Sequence, residues 1–221
     1  MNSLAFDIAH ALAGSMVVLS FLLLYQDRVY ALLNVFALHS LALALAVGWQ
    51  AYLQEAHHLY VTAVVALLFK AIVIPTALHR IVRQLEIHRT LEVVGGVGRD
   101  MLAGAALVAL AIMVMLPVTE GSNALARQDL AFALAVILLG LLLMVNRHNA
   151  ISLVIGFMSL ENGLVLAAAG ALGMPLVVEI SVAFSVLIAL IVIGVFLFRI
   201  RERFDSVDMQ AMDTFREGRR K

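Results

Sequence analysis

The chain has no cysteine. That excludes disulfides, thiolate metal sites, cysteine-ligated iron–sulfur clusters and thiol catalysis. Charge is scarce: Asp, Glu, Lys and Arg make up 14% of 221 residues, against about 25% in ordinary soluble domains. Neither sign prevails, with 15 basic and 15 acidic residues, so no net charge draws the protein to nucleic acid. The N-terminus lacks a basic segment and carries Asp7 and His10 inside its first apolar run. It reads as a retained span, not a cleaved signal peptide. What is abundant is apolar surface, at 63% of residues against roughly 45–50% in soluble proteins. Several stretches of about twenty residues hold at most one charge, the length a helix needs to cross roughly 30 Å of hydrocarbon. Beta-barrel strands would be about ten residues long with strict alternation. The composition predicts an all-α polytopic membrane helical bundle.

Seven transmembrane helices are predicted: Leu4–Tyr25, Val29–Val47, Leu59–Leu78, Met101–Leu116, Asp129–Asn146, Ala150–Gly170 and Leu176–Phe198. Each is bounded by charge, Pro or Gly, and the fourth, stopped by Pro117, is the shortest. With this count, thirteen of the fifteen Lys and Arg residues fall on one side, leaving Arg127 opposite and Lys70 within a span. Basic residues collect on the cytoplasmic side, so the N-terminus is expected outside and the C-terminus in the cytoplasm. Trp49, Tyr52 and Tyr60 would mark the outer boundary, Tyr25 and Tyr30 the inner one. The chain divides into residues 1–128 with four spans, 129–198 with three, and a tail, 199–221. Two cytoplasmic segments stand out. The first, His79–Arg99, ends in Gly95-Gly96-Val97-Gly98, which reads as a hinge. The tail spaces Phe204, Val207, Ala211 and Phe215 at helical intervals, as a surface helix or a docking helix would.

A charge at the bilayer centre costs about 2.5–3.5 kcal/mol, so each one there asks for a reason. Lys70 and Glu161 each lie eleven residues into a span, roughly 16 Å deep from opposite directions. His39 lies ten residues into the second span, and Glu179 is shallow in the seventh. Lys70, Glu161, Glu179 and His39 are therefore the proton-relay candidates, since such groups exchange protons when burial and neighbouring charge tune them. The competing reading is a structural Lys70–Glu161 ion pair, with His39 a hydrogen-bonded core histidine. Asp7 and His10 lie near the outer end of the first span, where a solvated interface is expected. Two arrangements of the midplane charges are open: contact with each other, or each with a different subunit, the second being favoured. Pro75 removes a backbone donor just after Lys70 and frees the carbonyl of Ala71, predicting a kink. Gly156, Ser159, Gly163, Ala167 and Gly170 form one small-residue stripe on the sixth span, with Glu161 on nearly the opposite face. No midplane histidine pair is present to hold a membrane haem.

Ile155-Gly156-Phe157-Met158-Ser159-Leu160-Glu161-Asn162-Gly163 and Leu176-Val177-Val178-Glu179-Ile180 together resemble component E of hydrogenase-4 and formate-hydrogenlyase-type complexes. Lys70 followed five positions later by Pro75, and the tail's Phe204-Asp205-Ser206-Val207, fit the same family. The resemblance reaches from about residue 65 to 210. The last three spans are also similar to the small three-helix subunit of respiratory complex I, chain 4L, through the turn Arg147-His148-Asn149. The match is displaced: that subunit's first acid falls at Met158 and its second near Phe184. What the resemblance implies is a non-redox membrane-arm subunit of a membrane-bound hydrogenase or a related complex, contributing to proton translocation without being an enzyme by itself. It implies a bacterial or archaeal inner membrane. The partners would be antiporter-like and quinone-site-like subunits and a cytoplasmic hydrogenase arm. No cofactor is expected in this chain; iron–sulfur and nickel–iron centres would belong to partner subunits. The alternatives are a scaffold that passes no protons and, less favoured, a stand-alone ion transporter.

Overall fold

The computed structural model describes residues 3–84, 96–118, 124–147 and 149–170, together with residues 187, 188, 191 and 194. Every regular element among them is helical, the form in which lipid-exposed backbone bonds to itself. The order is α1 (Ser3–Tyr25), α2 (Val29–Gln54), α3 (His57–Val65), a π-helical segment (Ala66–Val73), α4 (Ile74–Gln84), α5 (Val97–Val118), α6 (Ala124–Val145) and α7 (Ala150–Gly170). Among the described residues, five helical runs are long and apolar enough to cross a membrane: α1, α2, the continuous α3–π–α4 rod, α5 and α7. A sixth, shorter apolar stretch covers Asp129–Val145 of α6. The seventh expected span lies almost wholly outside the described residues, as do Glu179 and the tail.

Several expected bounds are corrected. Helix α2 runs on to Gln54, because Trp49, Gln50 and Tyr52 keep helical backbone beyond the apolar stretch. It stops where Glu55 adopts a left-handed conformation (φ 53°), and its N–H caps the carbonyl of Ala51. Pro117 does not end α5, which continues to Val118. Nor do Val97 and Gly98 act as a hinge, since both lie in α5, which starts after Gly96 (φ 92°). Among the described residues of that run, only Gly96 needs a glycine's backbone.

Two hairpins make the core. Helices α1 and α2 pair, α6 and α7 pair, and the hairpins stack with α1 on α6 and α2 on α7. Among the described residues, α1, α2, the α3–π–α4 rod, α6 and α7 thus contribute to one buried core. Met16, Phe36, Leu43, Leu139, Ile155 and Met158 fill it. Helix α5 flanks α6 and α1, while the α3–π–α4 rod flanks α2. The free face of α5 is apolar, with Leu102 75% and Met113 71% exposed, as suits a helix against lipid.

The small-residue stripe sets the tightest contact. Lipid tails are as apolar as leucine, so membrane helices associate by close packing. A Cβ on Gly140 of α6 would lie 2.7 Å from the backbone nitrogen of Leu160. One on Gly163 would lie 2.7 Å from Ile137 Cγ1 and 2.9 Å from its backbone nitrogen. Gly156 meets Met144 equally closely, and Gly170 faces the Cβ of Asp129. Ser159 is buried and Ala167 half-buried, packed against the core. Since backbone cannot yield as a side-chain tip can, Gly163→Ala should destabilise the fold by about 1–3 kcal/mol. Gly98→Ala, where a Cβ meets nothing within 4 Å, should change stability by about 1 kcal/mol or less. Thermal unfolding of the two variants in detergent would compare them.

Candidate functional site

The site begins with a defect in the α3–π–α4 rod. Proline has no backbone N–H, so an uninterrupted α-helix through Pro75 would leave a carbonyl unbonded. The rod widens over Ala66–Val73 into a π-helix, in which each N–H reaches the carbonyl five residues back, as Ile74 N does to Phe69 O. Below it, Thr76 Oγ1 donates to the carbonyls of Ile72 (2.7 Å) and Val73 (2.9 Å), and His79 Nδ1 donates to that of Pro75 (2.9 Å). The backbone answers the proline with a re-registered, π-helical stretch. Lys70 sits in the middle of the widened turns.

Helix α7 brings the counter-charge. Docked on α6 through its glycines, it turns Glu161 and Asn162 away from that contact. Lys70 Nζ lies 3.1 Å from Glu161 Oε1, with the two side chains 2% and 4% exposed. It also donates to Asn162 Oδ1 at 2.9 Å. From Asn162 the polar line crosses to α2, where Nδ2 reaches His39 Nδ1 (3.0 Å) and Ser40 Oγ (3.4 Å). His39 Nε2 lies 3.1 Å from Ser20 Oγ of α1, which donates to the carbonyl of Met16 at 2.9 Å. Four elements contribute to one buried polar layer.

Three of the four relay candidates are therefore brought together: Lys70 and Glu161 directly, His39 through Asn162. The fourth, Glu179, lies outside the described residues. The favoured arrangement, in which Lys70 and Glu161 each pair with a different subunit, is corrected. They pair within the chain, because the long lysine side chain spans the gap between the rod and α7. Sequence reasoning missed Asn162, Ser20 and Ser40 as members of the layer. Their signal was weak but present: polar side chains at depth in otherwise apolar helices, one adjacent to Glu161.

Two further polar sites lie at the bundle's ends. At the end carrying Gln54 and Gly170, Asp129 is buried and accepts a hydrogen bond from Gln50 Nε2 (2.8 Å). Gln54 Nε2 donates to Gln50 Oε1 (3.1 Å) and to the carbonyl of Ala169 (2.7 Å). His10 faces this group, with Nδ1 3.8 Å from Asp129 Oδ1. It is half-buried there, not fully solvated, whereas Asp7 is exposed as expected. At the other end Arg147, 1% exposed, donates from Nη2 to the carbonyls of Leu24 (2.9 Å) and Gln26 (2.7 Å). It caps the last turn of α1, whose carbonyls have no partner within the helix. Burial pushes its guanidinium down from the usual range, and the carboxylates of Asp100 and Asp27 oppose that. Asn146 Nδ2 donates to Asp100 Oδ1 at 2.8 Å.

Chemically, the central layer can hold and exchange protons. Lysine and glutamate at 3.1 Å can stand as an ion pair or, after one proton crosses, as a neutral pair. Desolvation disfavours the first and mutual attraction favours it.

An uncharacterized protein of Mycobacterium tuberculosis is 29% identical to this chain over 209 residues, covering 93% of it and 94% of the relative. No family model matches the chain, and no solved structure does.

Removing the ammonium from this layer would leave the Glu161 carboxylate without its counter-charge. Lys70→Met should therefore destabilise the protein by about 3–5 kcal/mol. The double variant Lys70→Met/Glu161→Leu should recover most of that loss. A double-mutant cycle by thermal unfolding in detergent measures both.

Proposed function

We propose that this protein is a membrane-arm subunit of a complex coupling electron transfer to proton translocation, of the hydrogenase-4 and formate-hydrogenlyase kind. In this reading it crosses a bacterial or archaeal inner membrane seven times, with its N-terminus outside and its C-terminus in the cytoplasm. The chain is not an enzyme by itself. Redox chemistry belongs to iron–sulfur and nickel–iron partners of a cytoplasmic arm, and antiporter-like and quinone-site-like subunits flank it in the membrane.

The observation that carries the reading is the buried pair between Lys70 of the π-helical segment and Glu161 of α7, extended through Asn162 to His39. Intramembrane ionisable residues mark ion and proton pathways, and π-helical turns recur at functional sites. Glu161 is the central station and Lys70 the partner whose charge sets its readiness to take a proton. A second reading, a scaffold that passes no protons, is favoured by the α6–α7 contact, where glycine backbones meet without room for a Cβ.

One comparison separates them. Glu161→Gln in the assembled complex should abolish coupled proton movement, followed as pH change in inverted vesicles, while assembly stays normal. Full coupling in that variant would sink the relay and leave the scaffold, for which Gly163→Leu should dissolve the complex.

A further inference from the structure

The hydrogen bonds of the central layer have only one consistent direction. A lysine ammonium donates and cannot accept. Asn162 must therefore present Oδ1 to Lys70 (2.9 Å) and Nδ2 to His39 (3.0 Å). His39 Nδ1 then accepts, which leaves a neutral ring its proton on Nε2. That proton points at Ser20 Oγ (3.1 Å), whose own hydrogen goes to the carbonyl of Met16 (2.9 Å). Every donor in the line meets an acceptor only in this sense.

The same geometry forbids a state. A proton on His39 Nδ1 would face the amide's N–H₂ group, donor against donor. Relief requires the amide to turn over, presenting Oδ1 to His39 and Nδ2 to Lys70. A charged lysine has no lone pair to receive it. We propose that Asn162 is a positioning residue that makes protonation of Lys70 and of His39 mutually exclusive, its amide orientation fixing which of the two carries the proton. Lys70 charged holds His39 neutral as the Nε2–H tautomer. Lys70 neutral releases the amide and allows His39 Nδ1 to hold a proton. An amide passes no proton in this scheme; it sets the occupancy of its two neighbours.

Few other groups can interfere. Among the titratable side chains of the helices around His39, Asp7, His10 and Tyr25 of α1 lie toward its ends. Tyr30 and Tyr52 lie toward the ends of α2, His57, His58 and Tyr60 of α3 and His79, Arg80 and Arg83 of α4 lie toward the ends of the rod, and Glu161 is the acid of α7. Glu161 pairs with Lys70, and the Asn162 amide bridges Lys70 and His39. Ser40 Oγ, at 3.4 Å from Asn162 Nδ2, accepts in one orientation and can donate in the other, so it does not hold the amide against reversal.

This deepens the relay reading by naming the residue that couples two of its stations, but the test does not depend on it. The full chain, labelled with nitrogen-15 histidine and reconstituted in lipid vesicles, is studied by solid-state NMR. The His39 signals are identified by their loss in His39→Gln. The expected result is a neutral ring with its proton on Nε2. Asn162→Asp, which offers only acceptors to both neighbours, should move the proton to Nδ1 or add one there. Should that variant not fold, Lys70→Met/Glu161→Leu, which recovers most of the stability lost in Lys70→Met, serves instead, and a population of Nδ1-protonated His39 should appear. A proton on Nδ1 in the unmodified chain, or an unchanged Nε2–H ring in whichever variant folds, would overturn the proposal. Normal proton coupling in Glu161→Gln would end the relay reading and leave the tautomer result standing.

Discussion

Two opposite charges held 3.1 Å apart, out of water, constrain the packing around them. Each alone at the bilayer centre costs about 2.5–3.5 kcal/mol. Their attraction at this separation is about 5 kcal/mol at an effective dielectric of about 20. The two quantities nearly cancel. A pair so close to balance holds helices in register without being locked in one ionisation state. That is a poor device for raw stability and a suitable one for handling protons. It also explains why the surrounding side chains are so fully committed. Lys70 donates to both Glu161 and Asn162, and Asn162 passes the polarity to α2 and α1.

The pair depends on how α7 is aimed. Its glycine face lies against α6 so closely that backbone touches backbone at Gly140 and Gly163. With that face fixed, Glu161 and Asn162 have one direction left, toward α2 and the α3–π–α4 rod. Pro75 acts from the other side. By forcing π-helical hydrogen bonding over Ala66–Val73, it widens the turns that carry Lys70 and changes the direction in which that side chain leaves the rod. Neither feature touches the ammonium or the carboxylate, yet both decide whether they meet.

Much of this was legible in the sequence, for identifiable reasons. Helix α7 begins and ends at the expected Ala150 and Gly170, because Asn149 and the apolar run mark its start unambiguously. The small-residue stripe and the equal depths of Lys70 and Glu161 follow from the rise and rotation of a helix. Depth arithmetic gives a height but no direction around the axis. It therefore could not say that Lys70 and Glu161 find each other, nor that His39 is reached through Asn162. The π segment was missed because Pro75 signals only a lost donor, and several backbone adjustments can answer that loss. Asp129 and Arg147 looked like ordinary boundary residues. Their burial comes from helices distant in the chain, Gln50 of α2 in one case and the end of α1 in the other.

The Lys70–Asn162 hydrogen bond joins residues 92 positions apart, and ribosomes add about 5–20 residues each second. The lysine's helix is thus made about 5–18 s before the segment that neutralises it. During that interval its ammonium has to rely on its own flexible stem to reach headgroups or water. In the membrane reading, the α3–π–α4 rod therefore enters the bilayer as a provisional element. It settles only when α7 arrives, and any delay between the two halves of translation prolongs the interval in which the ammonium lacks its counter-charge.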